Sequence, residues 1–86
     1  MVWVFSEQGA EDFSHLELPM RRLFRAHMEK PLHMPARKHL RFGLPFFCEK
    51  VTAQARLVFR MEGENLRAVR CFATHKEYEK WFRGIK

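Results

Sequence analysis

Residues 54–73, QARLVFRMEGENLRAVRCFA, contain two runs of strand-forming residues joined by a short polar turn. Over residues 54–61, apolar side chains alternate with mostly basic ones, which is the period of a strand with one buried face. The turn at residues 62–65, EGEN, has Gly63 at the first central position of a two-residue loop, as a type II′ hairpin turn requires. Residues 66–73 then supply the returning strand. The stretch therefore predicts a β-hairpin.

The register of this hairpin determines which side chains share a face of the sheet. Pairing across the turn predicts three further cross-strand pairs, which are Arg60 with Arg67, Val58 with Val69 and Arg56 with Cys71. Two arginines directly opposite each other repel, and a sheet selected only for stability rarely contains such a pair. The face is either a solvated surface whose long side chains splay apart or a phosphate-binding concavity. The pattern alone favours neither.

The flanking sequence predicts three helices and two more strands. Residues 2–5, VWVF, form an apolar run that is typical of a buried strand. Ser6 then fits a helix N-cap, and Pro19 fits the first turn of a second helix. Residues 45–51 are strand-like, and Thr74 can cap a final helix. The predicted element order is βααβββα.

The chain is expected to form one α+β domain over residues 1–86, with helices packed against an antiparallel sheet whose last three strands form a meander. Hydrophobic residues make up 47% of the sequence and include nine phenylalanines, so a core can form and disorder is not expected. Residues 1–6 lack the basic segment of a signal peptide, and no apolar run is long enough to span a membrane. The expected location is the cytoplasm.

The charge is distributed unevenly along the chain. The first 18 residues carry four acidic residues and no Lys or Arg, so the remaining 68 hold 16 basic residues against six acidic ones, a net charge of +10. Such a field attracts polyanions, which favours nucleic acid or an acidic protein as partner; a merely solvated basic surface is the alternative. Cys48 and Cys71 form no C-x-x-C motif and are expected to be small buried thiols. No metal and no cofactor are expected.

Three stretches resemble the RelE/ParE toxin superfamily. Residues 46–59, FFCEKVTAQARLVF, resemble the RelE-family core, in which an aromatic-led strand leads into R-L-V-[YF]. Residues 70–78, RCFATHKEY, resemble the T-H-x-x-Y ending of HigB-type members. Residues 3–13 are similar to the strand and acidic helix that open the YoeB branch. Each motif is short, but together they span nearly the whole chain in the right order.

The resemblance implies the toxin of a type II toxin–antitoxin system, with a RelE-like fold and a cognate acidic antitoxin that holds it silent. It implies an endoribonuclease that cleaves messenger RNA, often on the ribosome, and thereby inhibits translation. Such enzymes need no metal, because the RNA's own 2′-hydroxyl is the nucleophile. One group must accept the 2′-hydroxyl proton, another must protonate the leaving 5′-oxygen, and a cation must stabilise the phosphorane.

The resemblance also assigns five candidate catalytic residues. Arg56 matches the arginine before L-V-[YF], and its planar fork suits two phosphate oxygens. His75 matches the histidine of T-H-x-x-Y and can act as general acid or base. Tyr78 matches the tyrosine, which either contacts the RNA or buries its ring in the core. Lys50 is positioned like a basic residue of the YoeB branch, and Glu49 is either a base or a salt-bridge partner of Arg56; a one-residue slip decides which of the two shares the arginine's face.

Further cations are expected to contact RNA or phosphate: Arg60, Arg67, Arg41, Lys38 and Lys76. Two of them belong to a basic loop over residues 31–43. The catalytic glutamate of the YoeB branch has no clear match in this sequence, and His39 of the same loop is a substitute candidate. This departure leaves the acid and base assignments open.

Two other functions are compatible with the sequence. A ParE-like relative would share the fold but inhibit DNA gyrase by binding to it, and such a protein needs no acid–base pair beside Arg56. A non-catalytic RNA-binding module is the third possibility. It usually presents aromatic side chains on its open sheet face, where this sequence places arginine. The ribonuclease is therefore the preferred hypothesis.

Overall fold

The computed structural model describes residues 2–29 and 46–85. Their helices and strands are, in chain order, β1 Trp3–Phe5, α1 Glu7–Ser14, α2 Leu18–Met28, β2 Phe47–Lys50, β3 Arg56–Glu62, β4 Asn65–Phe72 and α3 His75–Ile85. The predicted order βααβββα is confirmed. None of the helices in these two segments is long and apolar enough to cross a membrane.

The four strands form one sheet in the order β1-β4-β3-β2. Strands β2, β3 and β4 are antiparallel neighbours, which confirms the predicted meander. Strand β1 pairs with β4 in parallel, with Trp3 opposite Leu66 and Phe5 opposite Ala68. The sheet is therefore mixed rather than wholly antiparallel. The short apolar run of β1 carries no signal for its direction, and the long connection between β1 and β4 permits a parallel pair.

The β3–β4 hairpin follows the predicted register near its turn. Glu62 pairs with Asn65 and Arg60 with Arg67, as expected. Gly63 has a φ angle of 62°, a left-handed conformation that side-chain-bearing residues adopt only with strain. The glycine of the turn therefore sets the register of the hairpin from the turn to Phe59.

Farther from the turn, a bulge in β4 shifts this register by one residue. Phe59 lies opposite Ala68, whereas Val58 lies opposite Arg70, so Val69 is the extra residue. The predicted pairs of Val58 with Val69 and Arg56 with Cys71 are wrong, because this residue has no counterpart on β3. Arg56 instead lies opposite Phe72.

The start of α1 is anchored on this bulge. The Ser6 backbone N–H donates to the Ala68 carbonyl at 3.0 Å, and the Ser6 hydroxyl donates to the Val69 carbonyl at 3.1 Å. The same hydroxyl accepts a hydrogen bond from the Gly9 N–H at 2.9 Å, which is the predicted N-cap. A Cβ atom on Gly9 would lie 2.2 Å from the Ala68 carbonyl oxygen. Glycine therefore allows α1 to contact the β4 backbone directly.

The sheet is covered by helices on both faces. Consecutive residues of β3 point to opposite faces. Leu57 packs in a cluster with Phe24 of α2, and Val58 packs in a second cluster with Tyr78 and Phe82 of α3. Helices α1 and α2 thus cover one face, and α3 covers part of the face that carries Arg56.

Helix α3 begins as the sequence predicts. Its cap is Thr74, whose hydroxyl accepts a hydrogen bond from the Glu77 N–H at 3.2 Å. This cap fixes the first turn of α3 beside the end of the sheet where β2 and β3 meet.

Candidate functional site

Lys50 and Arg56 lie directly opposite each other where the β2–β3 ladder ends. Lys50 is exposed and Arg56 is half-buried. Their pairing places Lys50, and not Glu49, on the same face as Arg56. Two like charges on opposite residues of neighbouring strands repel, and a bound phosphate would relieve the repulsion.

The guanidinium of Arg56 braces the turn between β2 and β3. Its Nη1 donates to the carbonyl oxygens of Thr52, Ala53 and Ala55 at 3.1, 3.2 and 3.0 Å. Among the described residues, all three bonds come from Nη1. The Nε and Nη2 atoms of the guanidinium can therefore donate to an anion. The turn therefore fixes the orientation of the guanidinium.

His75, the first residue of α3, lies beside the same turn. Its backbone N–H donates to the Gln54 Oε1 atom at 3.4 Å. The imidazole Nε2 lies 3.3 Å from the Glu79 carboxylate one helical turn later, and the side chain is 44% exposed. The Thr74 cap and the Gln54 contact thus bring a solvent-accessible imidazole to the end of the sheet that carries Lys50 and Arg56.

Tyr78 lies one turn beyond His75, with its ring in the core. It is 6% exposed, stacks on Phe82 with ring centroids 5.9 Å apart, and meets Phe72 edge-on at 6.0 Å. Its ring centroid lies 6.0 Å from that of His75. Of the two roles that the sequence left open, this burial favours the packing role. The Tyr78 ring therefore packs next to the His75 imidazole.

Glu49 lies on the opposite face of the sheet from Arg56. It is paired with Leu57 on β3, and its carboxylate lies 2.8 Å from the His27 Nδ1 atom of α2. This register places Glu49 on the wrong face for a salt bridge to Arg56, which was one of the two roles that the sequence left open. In this register the Glu49 side chain lies on the α2 side of the sheet, where it contacts His27. Glu49 is therefore separated from the other candidate catalytic residues.

Arg60 and Arg67 share the face of Arg56, as predicted, but lie at the hairpin end of β3. Arg60 is four positions from Arg56, or about 13 Å along a strand. The Glu62 carboxylate accepts from the Nε atoms of both Arg60 and Arg67 at 2.8 Å. These bonds, first that from Arg67 and then that from Arg60, lower the pKa of Glu62. The repulsion expected between the two arginines is therefore relieved within the chain.

The remaining sequence candidates divide into two groups. Lys76 is exposed in the first turn of α3, next to His75. Arg41, Lys38 and His39 lie outside the described residues. The structure thus places Lys50, Arg56, His75 and Lys76 around one end of the sheet.

A cleft that the sequence analysis missed lies between α1 and α3 at the end of β4. Its volume is about 490 Å³, and Asp12, Arg70, Phe72, Lys80 and Trp81 are among its lining residues. The Asp12 carboxylate accepts from Arg70 Nε at 2.6 Å and from the Cys71 N–H at 3.0 Å. Asp12 and Arg70 are 58 positions apart, and no local motif connects them.

Two solved structures are similar to this chain. One is a YoeB/ParE toxin from Agrobacterium tumefaciens, with a TM-score of 0.61 and 18% sequence identity over 84% of this chain and 96% of that chain. The other is the crystal structure of YafQ from E. coli, with a TM-score of 0.60 and 16% identity over 88% of this chain and 94% of that chain.

These similarities confirm the RelE-like fold that the sequence motifs predicted. They cover almost the full length of both solved structures. The sequence matches no protein-family model, and no curated protein is similar to it in sequence. At identities this low the similarity establishes the fold, and the chemistry has to be argued from the residues of this chain.

Proposed function

We propose that this protein is the toxin of a type II toxin–antitoxin system and a metal-independent endoribonuclease. It cleaves messenger RNA in the cytoplasm, on or off the ribosome, and so inhibits translation. The main support for this proposal is the cluster of side chains at one end of the sheet. There Lys50 lies opposite Arg56, and a hydrogen bond to Gln54 brings His75 to the same turn. The two cations can stabilise the phosphorane, and the imidazole can transfer one of the two protons that move when an internal 2′-hydroxyl cleaves RNA.

The proposed chemistry places the scissile phosphate against Arg56. The Nε and Nη2 donors of Arg56 contact two non-bridging oxygens, and Lys50 adds a second positive charge where negative charge accumulates in the transition state. The 2′-oxygen attacks phosphorus, the bond to the 5′-oxygen breaks, and a 2′,3′-cyclic phosphate forms. His75 either takes the proton from the 2′-oxygen or gives one to the 5′-oxygen, which its exposure permits, and solvent water carries the other of these two protons.

The proposed partner is an acidic antitoxin. Residues 19–86 carry a net charge of +10, and Lys50 and Lys76 are exposed at the proposed active site. An acidic, partly disordered segment that folds onto this surface would cover the site and neutralise its charge. Induced expression of the chain should arrest growth, and co-expression of the cognate antitoxin should restore it. Harmless high-level expression would contradict this proposal.

A ParE-like inhibitor of DNA gyrase is the second candidate, since one of the two similar structures bears the joint name YoeB/ParE. The two functions differ in what the purified protein does. A gyrase inhibitor blocks supercoiling and leaves RNA intact, whereas the proposed ribonuclease cleaves RNA and leaves gyrase active. Both assays on one preparation separate them.

The experiment that tests the proposed site is substitution of Arg56. Arg56→Ala should slow single-turnover cleavage of a defined RNA by about 10²–10³-fold, the usual effect of removing a preorganised charge at the reacting group. RNA binding should fall much less. Arg56→Lys should restore only part of the rate, because an ammonium cannot reproduce the fork. Arg22→Ala, an exposed arginine of α2, is the matched control and should cleave normally.

Arg56 also braces a turn, so each variant needs a melting curve. Loss of the three bonds to Thr52, Ala53 and Ala55 should destabilise the fold by about 1–3 kcal/mol. Cleavage is therefore measured well below the melting temperature of the variant. Equal losses of binding and cleavage would make Arg56 a docking residue. Unchanged cleavage in a folded protein would place the active site elsewhere.

A further inference from the structure

The cleft between α1 and α3 takes no part in the proposed catalysis. Asp12 and Glu77 contribute negative charge to its lining, and Arg70 and Lys80 contribute positive charge. These charges cancel, so the cleft does not have the excess of cations that a phosphate site has. Its volume of about 490 Å³ is within the range of small-molecule sites.

Flat groups form part of the cleft lining. The rings of Phe72 and Trp81 are 5.6 Å apart and inclined at 44°. The guanidinium carbon of Arg70 lies 4.8 Å from the Phe72 ring centroid. Aromatic rings and guanidinium planes are the surfaces on which single-stranded bases stack.

The Arg70 guanidinium is held in place before any ligand binds. Asp12 of α1 accepts from both its Nε, at 2.6 Å, and its Nη2, at 3.4 Å. The Arg70 side chain is 25% exposed and the Asp12 side chain is 13% exposed. A planar group fixed in this way loses little conformational entropy when a ligand stacks on it.

The cleft adjoins the proposed active site. Phe72, which lines the cleft, lies directly opposite Arg56 in the β3–β4 pair. Opposite residues of antiparallel strands have Cα atoms about 5 Å apart. Ala73 also lines the cleft, two residues before His75. A nucleotide whose base enters the cleft would thus have its phosphate near Arg56.

We propose that the α1–α3 cleft binds a nucleobase of the RNA strand next to the scissile phosphate, stacked on Trp81 and the Arg70 guanidinium, while Phe72, which is only 5% exposed, packs beneath them. The proposal rests on the proposed ribonuclease function and adds to it the pocket that sets base preference. Lys80 also lines the cleft, where its positive charge attracts a negatively charged nucleotide. Purines should bind more tightly than pyrimidines, because their larger rings cover more of the stacking surface.

Tryptophan fluorescence tests the proposal directly. The chain has two tryptophans, so Trp3→Phe leaves Trp81 as the single reporter. Adenosine 5′-monophosphate and adenosine should both quench Trp81 saturably, with dissociation constants in roughly the millimolar range expected for stacking of one base. Ribose 5-phosphate should leave the signal unchanged. In the reciprocal Trp81→Phe protein, Trp3 packs in the other core cluster and should not respond.

A charge-matched pair of variants locates the binding. Lys80→Glu should raise the dissociation constant for adenosine 5′-monophosphate at least about tenfold, roughly 1.4 kcal/mol. Arg83→Glu makes the same charge change at an exposed residue of α3 that is not among the lining residues, and should have little effect.

Three results would overturn the proposal. Equal quenching by ribose 5-phosphate would make the cleft an anion site, and quenching by an acidic peptide alone would make it a protein-docking site. The third is the absence of saturable quenching by any nucleotide. RNA cleavage measured on the same proteins keeps the two ideas apart: cleavage without nucleotide binding overturns this inference alone, and nucleotide binding without cleavage overturns only the ribonuclease function.

Discussion

Replacement of Gly9 by alanine tests whether α1 rests directly on the β4 bulge. Alanine in a helix is normally better than glycine by about 1 kcal/mol. Here its Cβ would lie 2.2 Å from the Ala68 carbonyl oxygen, a backbone atom that cannot rotate away. Reaching the 3.0 Å below which such contacts essentially never occur requires a shift of at least 0.8 Å. Overpacking of this kind costs about 1–3 kcal/mol.

The overpacking cost less the gain in helix propensity leaves a net loss of up to about 2 kcal/mol for Gly9→Ala, and each kcal/mol should lower the melting temperature by roughly 4–8 °C. Gly84→Ala is the matched control, because nothing lies within 4 Å of a Cβ at this position of α3. It should leave the melting temperature unchanged or raise it slightly. If Gly9→Ala melts at or above the wild-type temperature, α1 is not held against β4 as described.

Three other predictions concern single side chains. Glu49→Gln should retain wild-type single-turnover cleavage but melt at a lower temperature, because the Glu49 carboxylate binds His27 on the opposite face of the sheet from Arg56. A large loss of cleavage would instead indicate that Glu49 is a catalytic base. The pKa of Glu62 is lower in the folded than in the unfolded protein, so its ionisation contributes stability that is present above about pH 4.5 and is lost as pH falls through the folded-state pKa. Glu62→Gln should therefore flatten that part of a plot of stability against pH. An unchanged plot would argue against the bonds from Arg60 and Arg67. Burial, reinforced by the nearby Asp12 charge, raises the pKa of Cys71 to about 12, so iodoacetamide at pH 8 should label half-buried Cys48 first, and mass spectrometry of the modified peptides reports the order.

The local elements of the fold could be predicted because their signals lie within a few residues. Gly63 marks the hairpin turn, and the alternation on either side of it marks the strands. The bulge at Val69 could not be predicted, since its carbonyl is bound by Ser6, 63 positions earlier in the chain. No local sequence pattern indicates that contact, so the register predicted from the sequence beyond Phe59 differs from the structure by one residue.

The candidate site was predictable to the same extent. The motif residues Arg56 and His75 both bond to the turn between β2 and β3, because each is the first residue of an element that begins beside it. The partner of Glu49 was left open by the sequence, since a one-residue slip changes the face of a strand residue. The α1–α3 cleft gave no sequence signal, because Asp12 and Arg70 become neighbours only when α1 packs on β4.

We propose above all that this protein cleaves RNA with its own side chains and the 2′-hydroxyl of the substrate. The most direct test is incubation of a defined RNA with purified protein and EDTA, with and without ribosomes, followed by analysis of the product ends. The account predicts 2′,3′-cyclic phosphate and 5′-hydroxyl ends, formed about 10²–10³-fold more slowly by Arg56→Ala. Products with 5′-phosphate ends, or intact RNA in both conditions from a folded protein that arrests growth, would contradict it.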